Sequence, residues 1–298
     1  MYDNDSKGIS YSAGFFMLIA FTIAGFFAYG LLSAALWPLL TGTPATVMVK
    51  EISNPAYSQA ARILQTTYAF VGFFLPTLVT ASLLSRRPFR LLGFSSRVSA
   101  RQTGWVFLLI AAAIFAGEAL THLNYHLPIP AEWKVKFDQL EKEYNQQTEA
   151  IMALKSLGDY SIALVVMGFL PALCEETFFR GGLQNLLFRS TRKPWLAIGI
   201  TSIIFSLVHF SFYGFLFRVL LGFVLGWIYH YSGRLWLSIL GHFLNNALVI
   251  TLFYVQVQNG KPIQDITDGT QASFWGWALV PLLVFFLAQF RKSGNEVQ

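Results

Sequence analysis

Charge is scarce in this sequence. Charged residues make up 12% of the 298 positions, against roughly 25% in a soluble globular domain, and with 55% of positions hydrophobic that shortage excludes an ordinary water-soluble fold. Cysteine is nearly absent. The single Cys174 rules out an internal disulfide and leaves the redox compartment unmarked. The alternation at period two that membrane-spanning strands require is missing too, so the apolar segments are expected as helices, not as barrel strands. No repeat, low-complexity tract or linker divides the chain, and a single membrane domain over 1–298 is expected. Neither end shows a lipidation motif. The first apolar segment is too long for a signal-peptide core and is expected as an uncleaved helix.

Long uncharged runs are what the sequence does have. No Asp, Glu, Lys, Arg or His occurs between Gly8 and Val49, and similar windows recur, each near the ~20 apolar residues that cross a bilayer as helix. The fold class expected is therefore all-α, a polytopic membrane protein with about eight transmembrane helices and an intramembrane polar cavity. The spans fall near Ala13–Trp37, Ile63–Leu84, Thr103–Leu120, Ser161–Phe188, Trp195–Phe210, Phe215–Tyr231, Trp236–Val255 and Phe274–Phe290. The formal charge of +6 and pI near 9.4 do not indicate nucleic acid, because the basic residues sit in short loops and not on one continuous face. Arg86, Arg87, Arg90, Arg97 and Arg101 follow the second span, Arg189, Arg192 and Lys193 the fourth, Arg234 the sixth, and Arg291 with Lys292 the eighth. Every second loop is basic, which by the positive-inside rule places both termini in the cytoplasm.

The longest loop of the other side, His122 to Tyr160, contains AEWKVKFDQLEKEYNQQTEAIM. Trp133, Phe137, Leu140 and Tyr144 fall on one helical face there, and Asp138 and Lys142 are spaced to pair at i, i+4. An amphipathic helix on the outer membrane surface is expected, as a connector or as a lid. Trp195, Trp236, Trp275 and Trp277 near span ends fit an interfacial aromatic belt.

An ionised side chain in the bilayer core costs about 2.5–3.5 kcal/mol on insertion scales, so the ionisable residues inside spans are the functional candidates. After fourteen uncharged residues, Tyr160 to Leu173, the fourth span carries CEETFFRGG. Glu176 and Arg180 lie four apart on one face, and Glu175 is turned about 100° away. Pro171 removes a backbone hydrogen bond four residues before Glu175, and Gly181 with Gly182 follows Arg180, so this helix is expected to kink or widen around the acidic pair. The fifth span carries FSLVH, ending at His209. The seventh carries HFLNN, in which His242 and Asn246 share a face.

Two chemistries use one carboxylate, two imidazoles and a carboxamide. In one, Glu175, His209 and His242 hold Zn²⁺ with an open position for the water that attacks a carbonyl. In the other, Glu175 with a histidine activates water directly, and His242 with Asn246 donates to the developing oxyanion. The blander reading treats Glu176 and Arg180 as a structural ion pair and each histidine as a packed core residue. Glu118, Arg218 and His230 lie near span ends, and His122 with His126 lies beside Pro128, where solvation accounts for them. Cys174 offers a thiol next to Glu175, although a buried cysteine ordinarily acts as a small hydrophobe.

Taken together, EETFFR as EExxxR, FSLVH as FxxxH and HFLNN as HxxxN, in that order, resemble the CPBP family of intramembrane proteases, which includes the CAAX prenyl endopeptidase known as the Ras-converting enzyme and bacterial bacteriocin-processing or self-immunity proteins. The resemblance covers about 158–255, expected as the catalytic core, and RRPFRLLGF over 86–94 is similar to bacterial members. It implies a cavity opening to the cytosol, endopeptidase activity on a peptide or lipidated protein, and an integral protein of a bacterial inner membrane. It also implies that Glu175 activates water, that Glu176 and Arg180 support it, that His209 helps activate water or bind metal, and that His242 and Asn246 are oxyanion donors or metal-side residues. Two rival functions use the same polar residues: a proton- or ion-coupled transporter, and a non-catalytic immunity or partner protein.

Overall fold

A computed structural model of the chain describes residues 5–94, 99–152, 154–260 and 274–295; Arg97 lies outside them. The protein is an all-α integral membrane protein. We label its main helices α1 (Tyr11–Thr41), α2 (Pro55–Leu84), α3 (Ala100–Tyr125), α4 (Ala131–Met152), α5 (Leu157–Thr191), α6 (Pro194–Leu207), α7 (Phe215–Ser232), α8 (Leu235–Gln258) and α9 (Phe274–Ser293). Among the described residues seven of these, all but α4 and α6, are long and apolar enough to cross a membrane. The expected fifth span is the short one. With 14 residues, α6 rises only about 21 Å against a hydrocarbon core of roughly 30 Å.

The chain packs as two compact units, one from Met1–Leu92, Gln146–Arg192 and Asn246–Ile263, the other from Gly93–Asn145, Lys193–Asn245 and Gln264–Gln298. No linker marks the division, because each unit draws on three separate stretches of sequence.

In the first unit α1 lies against α2. The contact is close: a Cβ on Gly25 would come within 2.4 Å of the Val71 carbonyl oxygen, so only glycine fits. Trp37, Ala60 and Leu64 are buried together at one end. Two proline-bearing spans, α2 and α5, widen just ahead of the ring. Phe70–Phe74 is π-helical before Pro76, and Leu164–Phe169 before Pro171; the wider turn takes up the missing N–H and the clash with the carbonyl four residues back.

Arg62 on α2 is 4% exposed and explains how α4 ends. Its Nε and Nη2 donate to the carbonyls of Ile151 and Met152 at 2.8 and 2.6 Å, and its Nη1 lies 3.6 Å from Asp159. The guanidinium thus satisfies orphan carbonyls of the last turn where the helix dipole is negative. Arg62→Met is expected to cost about 2–4 kcal/mol, since charged hydrogen bonds are lost and buried carbonyls are left unmet. Denaturant unfolding in detergent, with limited proteolysis near Met152, checks it.

The core of the second unit is formed by Val106, Leu109, Ile110 and Ala113 of α3, Leu221, Val224, Leu225 and Ile228 of α7, and Leu237, Leu283 and Phe290. Gly233 stops α7 in the left-handed region (φ 64), which glycine adopts without a Cβ penalty. Arg234 next to it is buried and donates to Gln102. It is therefore a packing residue and not one of the solvated loop charges that the pattern of basic loops implied.

Helix α4 forms where amphipathic periodicity predicted it, and only part of its apolar face docks. Through Asn145 it belongs to the second unit, where Phe137 stacks on Phe212 at 4.2 Å and Tyr144 lies under Arg218 at 5.3 Å. Trp133 and Leu140 remain exposed. Asp138 pairs with Lys134 at 2.8 Å, one turn before it and not with Lys142 one turn after, and it also accepts from the Tyr213 hydroxyl. These two donors, Lys134 first, hold the Asp138 carboxyl below its usual 3.8, and the same pairing raises Lys134. A depressed carboxyl contributes stability that is present above its unfolded value and disappears as pH falls through the folded one. Acid is thus expected to release α4 from Tyr213 only below about pH 3.8. Pepsin cleavage within Phe137–Tyr144 should report the release, and Asp138→Ala, which leaves Tyr213 no acceptor, should already be cleaved at about pH 5.

Candidate active site

The acidic cluster is built by local irregularity in α5. A seven-residue α-helical stretch, Leu170–Glu176, is flanked by the π-helical Leu164–Phe169 and Thr177–Gln184, so the expected widening is present on both sides of the carboxylates. Gly181 allows the second of these turns to pack closely, because a Cβ there would lie 3.1 Å from the Leu92 carbonyl oxygen. Asn185 fastens the same turn by donating to Leu91 O at 2.7 Å.

Glu176 and Arg180 are both 0% exposed and joined Nη1 to Oε1 at 2.7 Å. The Phe179 ring lies 5.9 Å from the guanidinium carbon. Two charges so deeply buried are tolerable only as a pair. Glu175, adjacent in sequence, is half-buried. Arg180 and Tyr68 both lie within electrostatic reach of it. Tyr68 was not among the sequence candidates; it sits in an apolar run of α2, and no local spacing marks it. Cys174 is buried as a free thiol, a small hydrophobe in its packing.

The two histidines meet on one ring in the second unit. His209 packs on Phe205 with centroids 5.0 Å apart, and His242 packs on the same ring at 5.5 Å, nearly perpendicular at 83°. His242 is 4% exposed and His209 half-buried. Helix α6 ends at Leu207, which leaves His209 on the turn that follows. Its Nδ1 lies 2.7 Å from the Phe205 carbonyl oxygen. A carbonyl only accepts, so Nδ1 carries the proton, and in the neutral ring Nε2 presents the lone pair. Asn246, one turn after His242 on α8, belongs to the first unit, where its carboxamide donates to Gly168 O of α5 at 3.4 Å.

Residues 158–248 match the family model described as "Type II CAAX prenyl endopeptidase Rce1-like". Glu175, Glu176, Arg180, His209, His242 and Asn246 all fall inside that match. That match agrees with the resemblance to the CPBP family of intramembrane proteases that the three motifs implied. A curated protein of Bacillus subtilis (strain 168), "Putative membrane peptidase YdiL", is 24% identical over 115 residues, which cover 39% of this chain and 46% of that protein. The chain thus spans less than half the length of this curated relative. No solved structure matches the chain.

Within the matched residues the first unit holds a buried ion pair beside Glu175 and a carboxamide bound to α5, and the second unit holds an imidazole pair on Phe205. Among the described residues no three His, Cys, Asp or Glu side chains are grouped as a metal site requires. Of the candidate zinc ligands, Glu175 lies in the first unit and His209 with His242 in the second.

Proposed function

We propose that this chain is an intramembrane endopeptidase that uses water activated at Glu175 to hydrolyse a peptide bond of a membrane-associated peptide or lipidated protein. The observation that carries this reading is that Glu175, Glu176, Arg180, His209, His242 and Asn246 all fall within the Rce1-like match. In the proposed reaction the Glu175 carboxylate takes a proton from water, and the water oxygen bonds to the peptide carbonyl carbon. His209 Nε2 accepts the second O–H of that water and aligns it. The His242 ring and an N–H of Asn246 donate to the oxyanion that forms. Glu175 then returns its proton to the amide nitrogen, the C–N bond breaks, and a carboxylic acid and an amine leave.

Glu176 and Arg180 support Glu175 by keeping a positive charge beside it without exposing that charge to lipid. We place both termini on the cytoplasmic side, with α6 and the turn after it as a short eighth crossing, on the strength of the basic residues Arg86, Arg87, Arg90, Arg189, Arg192 and Lys193.

Purified protein in detergent, given a farnesylated CAAX peptide and an unlipidated peptide on a membrane tether, tests the reading. Cleavage of either is the expected result, and the ratio of rates decides whether the lipid is recognised. His209→Ala is expected to lower kcat by about 10²–10³, the range typical of a single general acid–base or oxyanion group. Unchanged cleavage by that variant would remove His209 from the mechanism. Stoichiometric zinc in active protein, with loss of activity on chelation, would reassign Glu175, His209 and His242 as metal ligands.

A further inference from the structure

The turn that carries His209 is not self-supporting. Beyond the end of α6, Phe210 adopts φ 52 with its side chain 76% exposed. A left-handed residue that is not glycine costs about 1–2 kcal/mol, and Phe210 buries too little to offset that itself. The neighbours must hold it.

They do so from α4. Ser211, buried on this turn, donates from Oγ to Glu141 Oε2 at 2.8 Å and accepts from the Gly214 N–H at 3.2 Å. Phe212 lies flat on Phe137, with an interplanar angle of 4°. Tyr213 donates to Asp138 and stacks on Tyr125 at 4.2 Å. Three successive residues, starting two beyond His209, are thus each gripped by a neighbouring helix. Ser211 is the hub, because its one hydroxyl both closes the turn internally and ties it to a charged acceptor on another helix.

We propose that Glu141 is a positioning residue for His209: through Ser211 it fixes the 209–214 turn and thereby the direction in which the His209 Nε2 lone pair points. This rests on the role given to His209 above. Glu141 lies on α4, outside the Rce1-like match of 158–248, whereas Ser211 and the turn it holds lie inside it. The contact also gives α4 a part to play beyond connecting two spans.

Two measurements test it. In the cleavage assay, Glu141→Ala and Ser211→Ala are each expected to lower kcat about tenfold with KM within about twofold, because substrate contacts are untouched while one charge-assisted hydrogen bond is lost. The double variant should be no worse than either single. Glu141→Gln, whose amide oxygen still accepts from Ser211, should restore most of the rate. Losses that multiply, that fall on KM, or that are absent would overturn the proposal. If Glu141→Ala does not accumulate as folded protein, Ser211→Ala and Glu141→Gln decide the matter by the same criteria.

The second readout needs no activity. In histidine-labelled protein, the imidazole ¹⁵N shifts of His209, assigned with His209→Gln, should show a single Nδ1–H tautomer in the wild type and an averaged one in Glu141→Ala and Ser211→Ala. A fixed tautomer in all three proteins defeats the positioning role even if cleavage is found. Full activity of His209→Ala together with the tautomer change would instead defeat the catalytic reading and leave the clamp standing only as structure.

Discussion

Glu175→Gln is expected to fold, insert and bind substrate as the parent protein does while hydrolysing it about 10²–10⁴ times more slowly, the range a positioned general base supplies. The amide keeps the shape of the carboxylate but cannot take a proton from water. Glu175 is only half-buried, so the substitution strands no charge in the core and should leave the melting temperature nearly unchanged. The loss should appear in kcat with KM preserved, because the proton moves only in the transition state. Quenched-flow or endpoint cleavage of the membrane-tethered peptide, beside a thermal melt of the same preparation, checks both halves. A variant that retains the parent rate would take water activation away from Glu175.

The opposite signature is expected one residue on. Glu176→Ala or Arg180→Ala should destabilise the protein by about 3–5 kcal/mol, since each leaves the other charge buried without the partner it holds at 2.7 Å. Both side chains are 0% exposed, so water cannot step in at the surface. The double change Glu176→Gln with Arg180→Met removes both charges and should recover much of that loss, because an apolar replacement for a buried pair is often neutral or better. Unfolding in detergent by a graded denaturant reads the three values. A double variant as unstable as the singles would mean that the guanidinium does more than balance Glu176, with its influence on Glu175 the first place to look.

These contrasting expectations for neighbouring carboxylates come from a distinction already legible in sequence. At 100° per residue Glu176 shares a face with Arg180 and Glu175 does not, and the structure pairs Glu176 with Arg180 at 2.7 Å. Pro171 and the glycine pair likewise marked the irregular helix. The amphipathic period of α4 was equally plain, and the helix is there. Elsewhere local reading ran out. Lys142 was as well spaced for Asp138 as Lys134, and only the packing of Tyr213 shows which side of the carboxylate is occupied. Arg234 counted as a loop charge until its burial against Gln102 was seen. Tyr68 and Glu141 carried no signal at all, since each meets its partner across more than 60 residues of chain.

By itself, then, the sequence determined that this is a helical membrane protein, where its long apolar helices fall, and which six polar residues form the set that resembles a known family. Those properties follow from the solvent cost of charge and from the repeat of the helix, both of which act over a few turns. The tertiary structure alone decided that α6 stops short after 14 residues, that two histidines share the Phe205 ring, that a carbonyl fixes the His209 tautomer, and that α4 grips the turn beside it. These are matters of which surfaces meet, and contact between residues distant in the chain is set by the packing of whole helices, which no short window of sequence contains.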